Sequence, residues 1–466
     1  MRRLIRLLTR LVFGTALSIV ALTLPMARAQ SAASAPDEPE SSVPFLPGLK
    51  TQVEFWKQVF ATYSTRQVVI HDALHLQRIY AVLDFRPLAD SGASDAEIEA
   101  YARDQVQSEK ERVRAALLHL HQVGPESPEL TAEERRVGAL FADVKDPMKF
   151  LQAAADDRIR SQWGLRERFA AGVEMSRRYL PRMEVIFRRE GLPVELTRLP
   201  LIESCFNVRA YSKVGAAGIW QLMPATARRY MAVNRAVDER RDPITSTRAA
   251  ALYLKENYEV LGNWPLAVTA YNHGRAGMVN AVSTLGSSDL VEIIRHYHGP
   301  AFKFASRNFY AEFLAALDVE RNFEDNFGDI HPHRPLLTEA VAVPDYVNFR
   351  VLAKAANTEA DTLAELNPGL TRDVVSGRLL VPKGHVLQVP AGTAANFRSR
   401  YAALGVKHRQ PPARRSRCVT HRVQRGQTLA SIAKRYRTTV AAIQRRNNLR
   451  GTSRLRAGQS LVIPTG

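Results

Sequence analysis

Residues 199–224 read LPLIESCFNVRAYSKVGAAGIWQLMP. One carboxylate, Glu203, sits directly after an apolar run. A carboxylic acid keeps its proton near pH 7 only when its pKa is raised, and an apolar wall raises it because the charged form loses water. Gly215 and Gly218 follow at i and i+3, a spacing that lets backbone approach a ligand closely or turn through positive φ. Trp220 offers a flat apolar face and Gln221 an amide with donors and an acceptor. These groups suit a sugar ring bearing an N-acetyl group; a tight turn around a core tryptophan fits the same residues. Hydrolytic cleavage of a glycosidic bond takes a second carboxylate, and this stretch has none. Asp238, Glu239, Asp242 and Glu256 come later, where DERRDP (238–243) reads as a charged turn and helix cap.

The flanks are helical in pattern. Met183, Ile186 and Phe187 mark one helix, which Gly191 and Pro193 end. Ala250, Tyr253, Leu254, Asn257, Tyr258 and Leu261 form a buried stripe that Gly262 stops. PLAVTAYNHG (265–274) is a short apolar helix started by proline and closed by glycine. Upstream, residues 47–180 also read as helical, with Val53, Trp56, Val59, Phe60 and Tyr63 at helical spacing. His71, His75, His119 and His121 match no ligand spacing and read as core or surface histidines, so no metal or other cofactor is expected.

The two ends differ from the body. Residues 1–29 have a basic start with five arginines and no acid, the apolar run LVFGTALSIVAL (11–22) and the small-x-small ARA (27–29). That is the form of an export signal; an uncleaved anchor helix is the other reading. No Cys follows the site for a lipid anchor. Residues 30–46 are rich in Ser, Pro and Glu and read as a flexible linker. Net charge is +19, yet residues 398–466 alone hold 17 Lys and Arg with no Asp or Glu. A basic end implies a polyanionic partner, such as an acidic wall polymer or anionic lipid. Export makes nucleic acid the least fitting, and none is expected. The two cysteines, Cys205 and Cys418, read as a buried small side chain and a free thiol.

The C-terminal third changes period. Residues 419–464 give a strand, two short helices and a strand, a small βααβ module. LAKAANTEADTLAELN (352–367) repeats IAKRYRTTVAAIQRRN (432–447) at an offset of 80, and LQVP (387–390) echoes LVIP (461–464). Two related modules follow the body, at 341–392 and 418–466, with a basic, proline-broken linker at 393–417.

Glu203-Ser204, GAAGIWQ (215–221) and AYN (270–272) resemble, in order, the three signatures of the soluble lytic transglycosylase catalytic domain. The lead-in at 164–200 and the closing modules resemble the membrane-bound transglycosylase D type, and the two modules are similar to lysin motifs, the first in degenerate form. The resemblance implies a mainly α protein. Its parts are a helical N-terminal region (47–180), a lysozyme-like helical catalytic domain (181–325) and small α+β lysin-motif modules.

It also implies that Glu203 is the sole catalytic acid, opening the bond between N-acetylmuramic acid and N-acetylglucosamine in peptidoglycan. Glu203 then acts as base while the muramoyl C6 hydroxyl closes on C1. That internal nucleophile removes the need for a second carboxylate. Ser212 and Gln221 would bind or orient the N-acetyl group and Glu203, and Gly218 and Trp220 would join them in binding substrate. Tyr271 would hydrogen-bond Glu203 or the cation side, and Asn272 would brace that corner. In the second lysin motif, Gly426, Gln427, Thr428 and Leu429 would face Asn447, Asn448 and Leu449 across a glycan groove. Cys205 stands where the family has a small Ala, Val208 where Pro is common, and Gln427 where the lysin-motif turn has Asp. The expected protein is exported and periplasmic, wall- or membrane-associated, and its partners are glycan strands and anionic wall polymers. A hydrolytic muramidase and a non-catalytic wall-binding scaffold are the alternatives.

Overall fold

The stripe that ends at Leu261 becomes the helix Pro243–Leu261. Asp242 caps it, accepting from the amides of Ile244 (3.0 Å) and Thr245 (2.7 Å), and Pro243 takes the first turn, where no amide is needed. Gly262 ends it in the left-handed region at φ 79°. Leu180–Glu190 and Trp264–His273 pack on it, and on Trp264–His273 packs Phe304–Arg321. The last carries Phe309, Tyr310, Phe313, Leu314 and Leu317 into one core. The chain is a computed structural model that describes residues 43–404, 417–447, 449 and 455–465. The expected signal segment and most of its linker lie outside the described residues. Among the described residues no helix is long and apolar enough to cross a membrane.

The catalytic core does not begin at 181. The helix Lys50–Ala61 packs along Phe304–Arg321, and its Val53, Trp56, Val59 and Phe60 belong to the same cluster as Trp220 and Leu254. Residues 43–46, expected in the linker, dock as well. Val43 is buried, and the Tyr310 hydroxyl donates to the Pro44 carbonyl at 2.7 Å.

Nor is the N-terminal region wholly helical. Strands β1 (Gln67–Asp72), β2 (Ile79–Asp84) and β3 (Ile159–Trp163) form an antiparallel sheet in the order β2-β1-β3. In β1, Val69 faces the catalytic core, while Val68 and Ile70 face a second core with Leu117, Leu120 and Phe141. Alternate residues of a strand point to opposite faces, so the sheet divides two apolar interiors, and β1 has no polar stripe. Burying each of those side chains is worth about 1.5–3 kcal/mol. The histidines serve this architecture. His71 is buried, with Nδ1 2.9 Å from the Asp72 carbonyl, and His119 Nδ1 lies 2.7 Å from Glu134.

Strands β4 (Thr338–Ala342) and β5 (Val386–Pro390) pair antiparallel and enclose the helices Phe349–Ala356 and Ala360–Leu366. Residues 394–403, expected in the basic linker, instead form the helix Ala394–Ala403, whose Phe397 and Tyr401 fill this module's core. Residues 405–416 lie outside the described ones. The module is stitched to the catalytic domain. The Asp238 amide donates to Gly369 O (2.7 Å), the Thr371 amide donates to Ala236 O (3.1 Å), and Val237 is buried in the module's core. In the second module β6 (Arg417–Arg422) and β7 (Ser460–Thr465) enclose Leu429–Arg435 and Val440–Arg446. The repeat is structural: Asn367 brackets Leu363 O and the Gln388 backbone as Asn447 brackets Ile443 O and the Val462 backbone.

Candidate active site

Glu203 lies in the last turn of the helix Leu199–Ser204. Cys205 (φ 48°) and Phe206 (φ 53°) then reverse the chain through two left-handed residues, a costly conformation for side chains other than glycine. Phe206 is fully buried and anchors the reversal. Gly172 makes room for it, since a Cβ there would stand 3.0 Å from the Cys205 carbonyl oxygen. Ser204 Oγ donates to Ile219 O at 2.9 Å and ties this helix to the loop that follows.

That loop is built from the inside. Tyr211 bridges Ala217, and Ala217 bridges Leu222. Ser212 Oγ accepts from the Ala216 amide at 2.9 Å, and Gln221 Nε2 donates to Gly218 O at 2.8 Å. Buried Arg240 clamps the loop by donating to Gly215 O (2.7 Å) and Leu222 O (3.1 Å), while Asp238 holds its other nitrogens at 2.7–2.8 Å. Gly218, at φ 74°, permits the closest approach: a Cβ would stand 1.8 Å from the Arg240 carbonyl oxygen. Its glycine therefore serves backbone packing.

Trp220 departs from the sequence expectation. It is wholly buried, stacks on Phe187 (5.8 Å, 7°) and donates Nε1 to Thr247 Oγ1 at 2.9 Å. Its indole presents no face to a sugar. Its carbonyl instead accepts the Tyr271 hydroxyl at 2.7 Å, so Tyr271 does not give its proton to Glu203. Asn272 is exposed and accepts from Ser306 Oγ at 3.1 Å.

Electrostatics mark two carboxyls, Glu203 and Glu312. Burial, and then the charge of Glu312, push its carboxyl up to about 8. Burial likewise pushes Glu312 up to about 8. Tyr271 is raised well above the usual phenol range by burial, then by Glu203 and Tyr253. Both acids thus hold protons at neutral pH, and Glu203 does so beside a neutral phenol, an arrangement fit for proton donation. The Cys205 thiol is raised by burial to about 11, Cys418 is exposed, and neither forms a disulfide.

In the second lysin-type module Gly426 takes φ 84° at an exposed turn. Gln427 Oε1 accepts from the Gln424 amide (2.9 Å) and lies 2.8 Å from His421 Nε2. Thr428 caps Leu429–Arg435 in a capping box with Ser431. Leu429 and Leu449 pack against the module's core, and the Asn447 amide is taken up by its bracket on β7. Asn448 lies outside the described residues. The expected groove residues Gln427, Thr428 and Asn447 thus each make hydrogen bonds that fix the two loops internally.

Residues 186–290 match the Transglycosylase SLT domain, 337–406 the LysM-like domain of lytic transglycosylase MltD, and 421–464 the LysM domain. Over 350 residues the chain is 30% identical to membrane-bound lytic murein transglycosylase D of Escherichia coli strain K12, covering 71% of this chain and 73% of that protein. The protein of the same description from Escherichia coli O6:H1 strain CFT073 matches to the same extent. The chain belongs to the lytic murein transglycosylase D family. Family membership accounts for the order of Glu203, the clamped loop and Tyr271, and the matched segment 337–406 takes in the helix Ala394–Ala403. Glu312 was not found by sequence reading. It lies 109 positions beyond Glu203, and its one signal is a lone acid in the apolar run FYAEFLAAL (309–317).

Proposed function

We propose that this peptidoglycan lytic transglycosylase works through Glu203 alone as acid and then base. The observation that carries the reading is the Glu203 carboxyl, partly buried beside Tyr271 and raised to about 8. The acid gives its proton to the glycosidic oxygen, the C1–O bond breaks, and N-acetylglucosamine leaves with a free 4-hydroxyl. The carboxylate then takes the C6 hydroxyl proton as that oxygen bonds C1, giving a 1,6-anhydro end with no water consumed. Glu312 supplies the second carboxylate that the catalytic stretch lacks, which brings back the muramidase alternative. A hydrolase would need that group ionised as nucleophile or base, whereas burial keeps Glu312 neutral at pH 7. Ser212, Gln221 and Asn272 shape the N-acetyl side. Digesting purified sacculi and weighing the muropeptides tests the reading: products one water lighter, with no new reducing ends, are expected. Reducing-end products would establish a muramidase.

Glu312 has its own expected effect. Near pH 8, where Glu312 ionises, its charge adds to burial in raising Glu203, so Glu312→Gln lowers the Glu203 pKa. The alkaline limb of the pH–rate profile, where the acid loses its proton, then moves to lower pH. An unmoved limb would separate the two carboxyls.

The lysin-type modules anchor the enzyme on glycan, and the basic end adds attraction to anionic wall polymers that salt weakens. The basic, apolar start fits export to the periplasm, where that substrate lies.

A further inference from the structure

The second lysin-type module carries an open groove lined by Arg437, Thr439, Ala442, Arg445, Arg446 and Pro464. None of its lining comes from the loops 424–429 and 447–449 assigned to glycan. Three guanidiniums share the groove, and no Asp or Glu exists anywhere in 398–466 to neutralise them from within the module.

The first module provides an internal comparison. At the offset of 80, Asn357 corresponds to Arg437. Both stand in the left-handed region (φ 52° and 51°), and both turns close alike, with Thr358 N on Ala353 O and Thr438 N on Ala433 O. Asparagine enters that conformation more readily than arginine. Glu359 and Glu365 in the first module occupy the positions of Thr439 and Arg445. The corresponding positions are therefore acidic or neutral in one copy and basic or neutral in the other, with an arginine at a position that disfavours it. Left-handed backbone at a residue other than glycine or asparagine is a conformation that clusters at functional sites.

We propose that the groove binds the carboxylates of peptides attached to the wall glycan. Guanidinium forks match carboxylates bidentately, and three of them along one open groove match the several carboxylates of a short acidic chain. The proposal rests on the reading of this enzyme as acting on peptidoglycan.

The test uses the full chain carrying Glu203→Gln, so that the substrate survives. Binding is measured to intact sacculi and to sacculi stripped of peptides by an amidase. Adding Arg437→Asn, Arg445→Ala and Arg446→Ala should weaken binding to intact sacculi about tenfold and flatten its salt dependence, with stripped sacculi bound as before. Arg437→Asn alone should melt no lower yet bind intact sacculi more weakly, which a purely structural arginine would not do. Equal parent affinity for intact and stripped sacculi overturns the proposal, as does full retention by the triple variant. Tighter binding to vesicles of anionic phospholipid than to intact sacculi also overturns it. Failure of the parent to bind either kind of sacculus would remove the wall-binding reading as well, a distinct result.

Discussion

Glu203→Gln should lower release of anhydro-muropeptides by about 10³-fold or more, because one group serves as both acid and base. The amide keeps the size of the side chain but cannot cede a proton to the glycosidic oxygen. The same change should stabilise the fold at alkaline pH. A carboxyl whose folded pKa exceeds its unfolded value contributes stability that is complete below the unfolded pKa and lost as pH rises through the folded one. For Glu203 that window runs from about 4.5 to about 8. Melting of parent and variant should therefore converge near pH 4.5 and separate by pH 8.5, with the variant higher. A loss of only a few-fold in product release would move the catalytic role elsewhere and favour the scaffold.

Gly218→Ala should cost about 3 kcal/mol or more of stability and most of the activity. The new Cβ would meet the Arg240 carbonyl oxygen at 1.8 Å and its carbon at 2.7 Å. Arg240 cannot retreat, because its guanidinium is held by Asp238, Gly215 and Leu222. Gly215→Ala is the control: it too has positive φ (94°), but its Cβ would point into open space. There only the conformational penalty applies, about 1–2 kcal/mol. Urea denaturation of the two variants separates them. Equal losses would show that the contact with Arg240 yields easily.

The parts of the molecule visible in the sequence are those written by local rules. The stripe to Leu261, its Asp242 cap and its Gly262 stop are near-neighbour patterns, and the helix follows them. The offset of 80 was legible because a bracket such as Asn367 or Asn447 needs one particular side chain. Strand β1 was hidden: with apolar residues on both faces, QVVI has no alternation to distinguish it from buried helix. Glu312 was hidden because its neighbours in the chain are not its neighbours in the site. Trp220 was misread because an aromatic beside a catalytic acid looks the same whether it faces a sugar or Phe187. Gln427 and Asn447 were misread for a related reason, since amides that suit a ligand suit backbone equally well.

The stitching of residues 236–238 to residues 369–371 gives the first lysin-type module a mechanical office. Asp238 is hydrogen-bonded through its amide to Gly369 and through its carboxylate to Arg240, which grips the loop next to Glu203. The module thus acts as an abutment for the catalytic loop. Severing the chain between the helix Phe304–Arg321 and β4 would leave every signature residue in place while removing the buttress behind them.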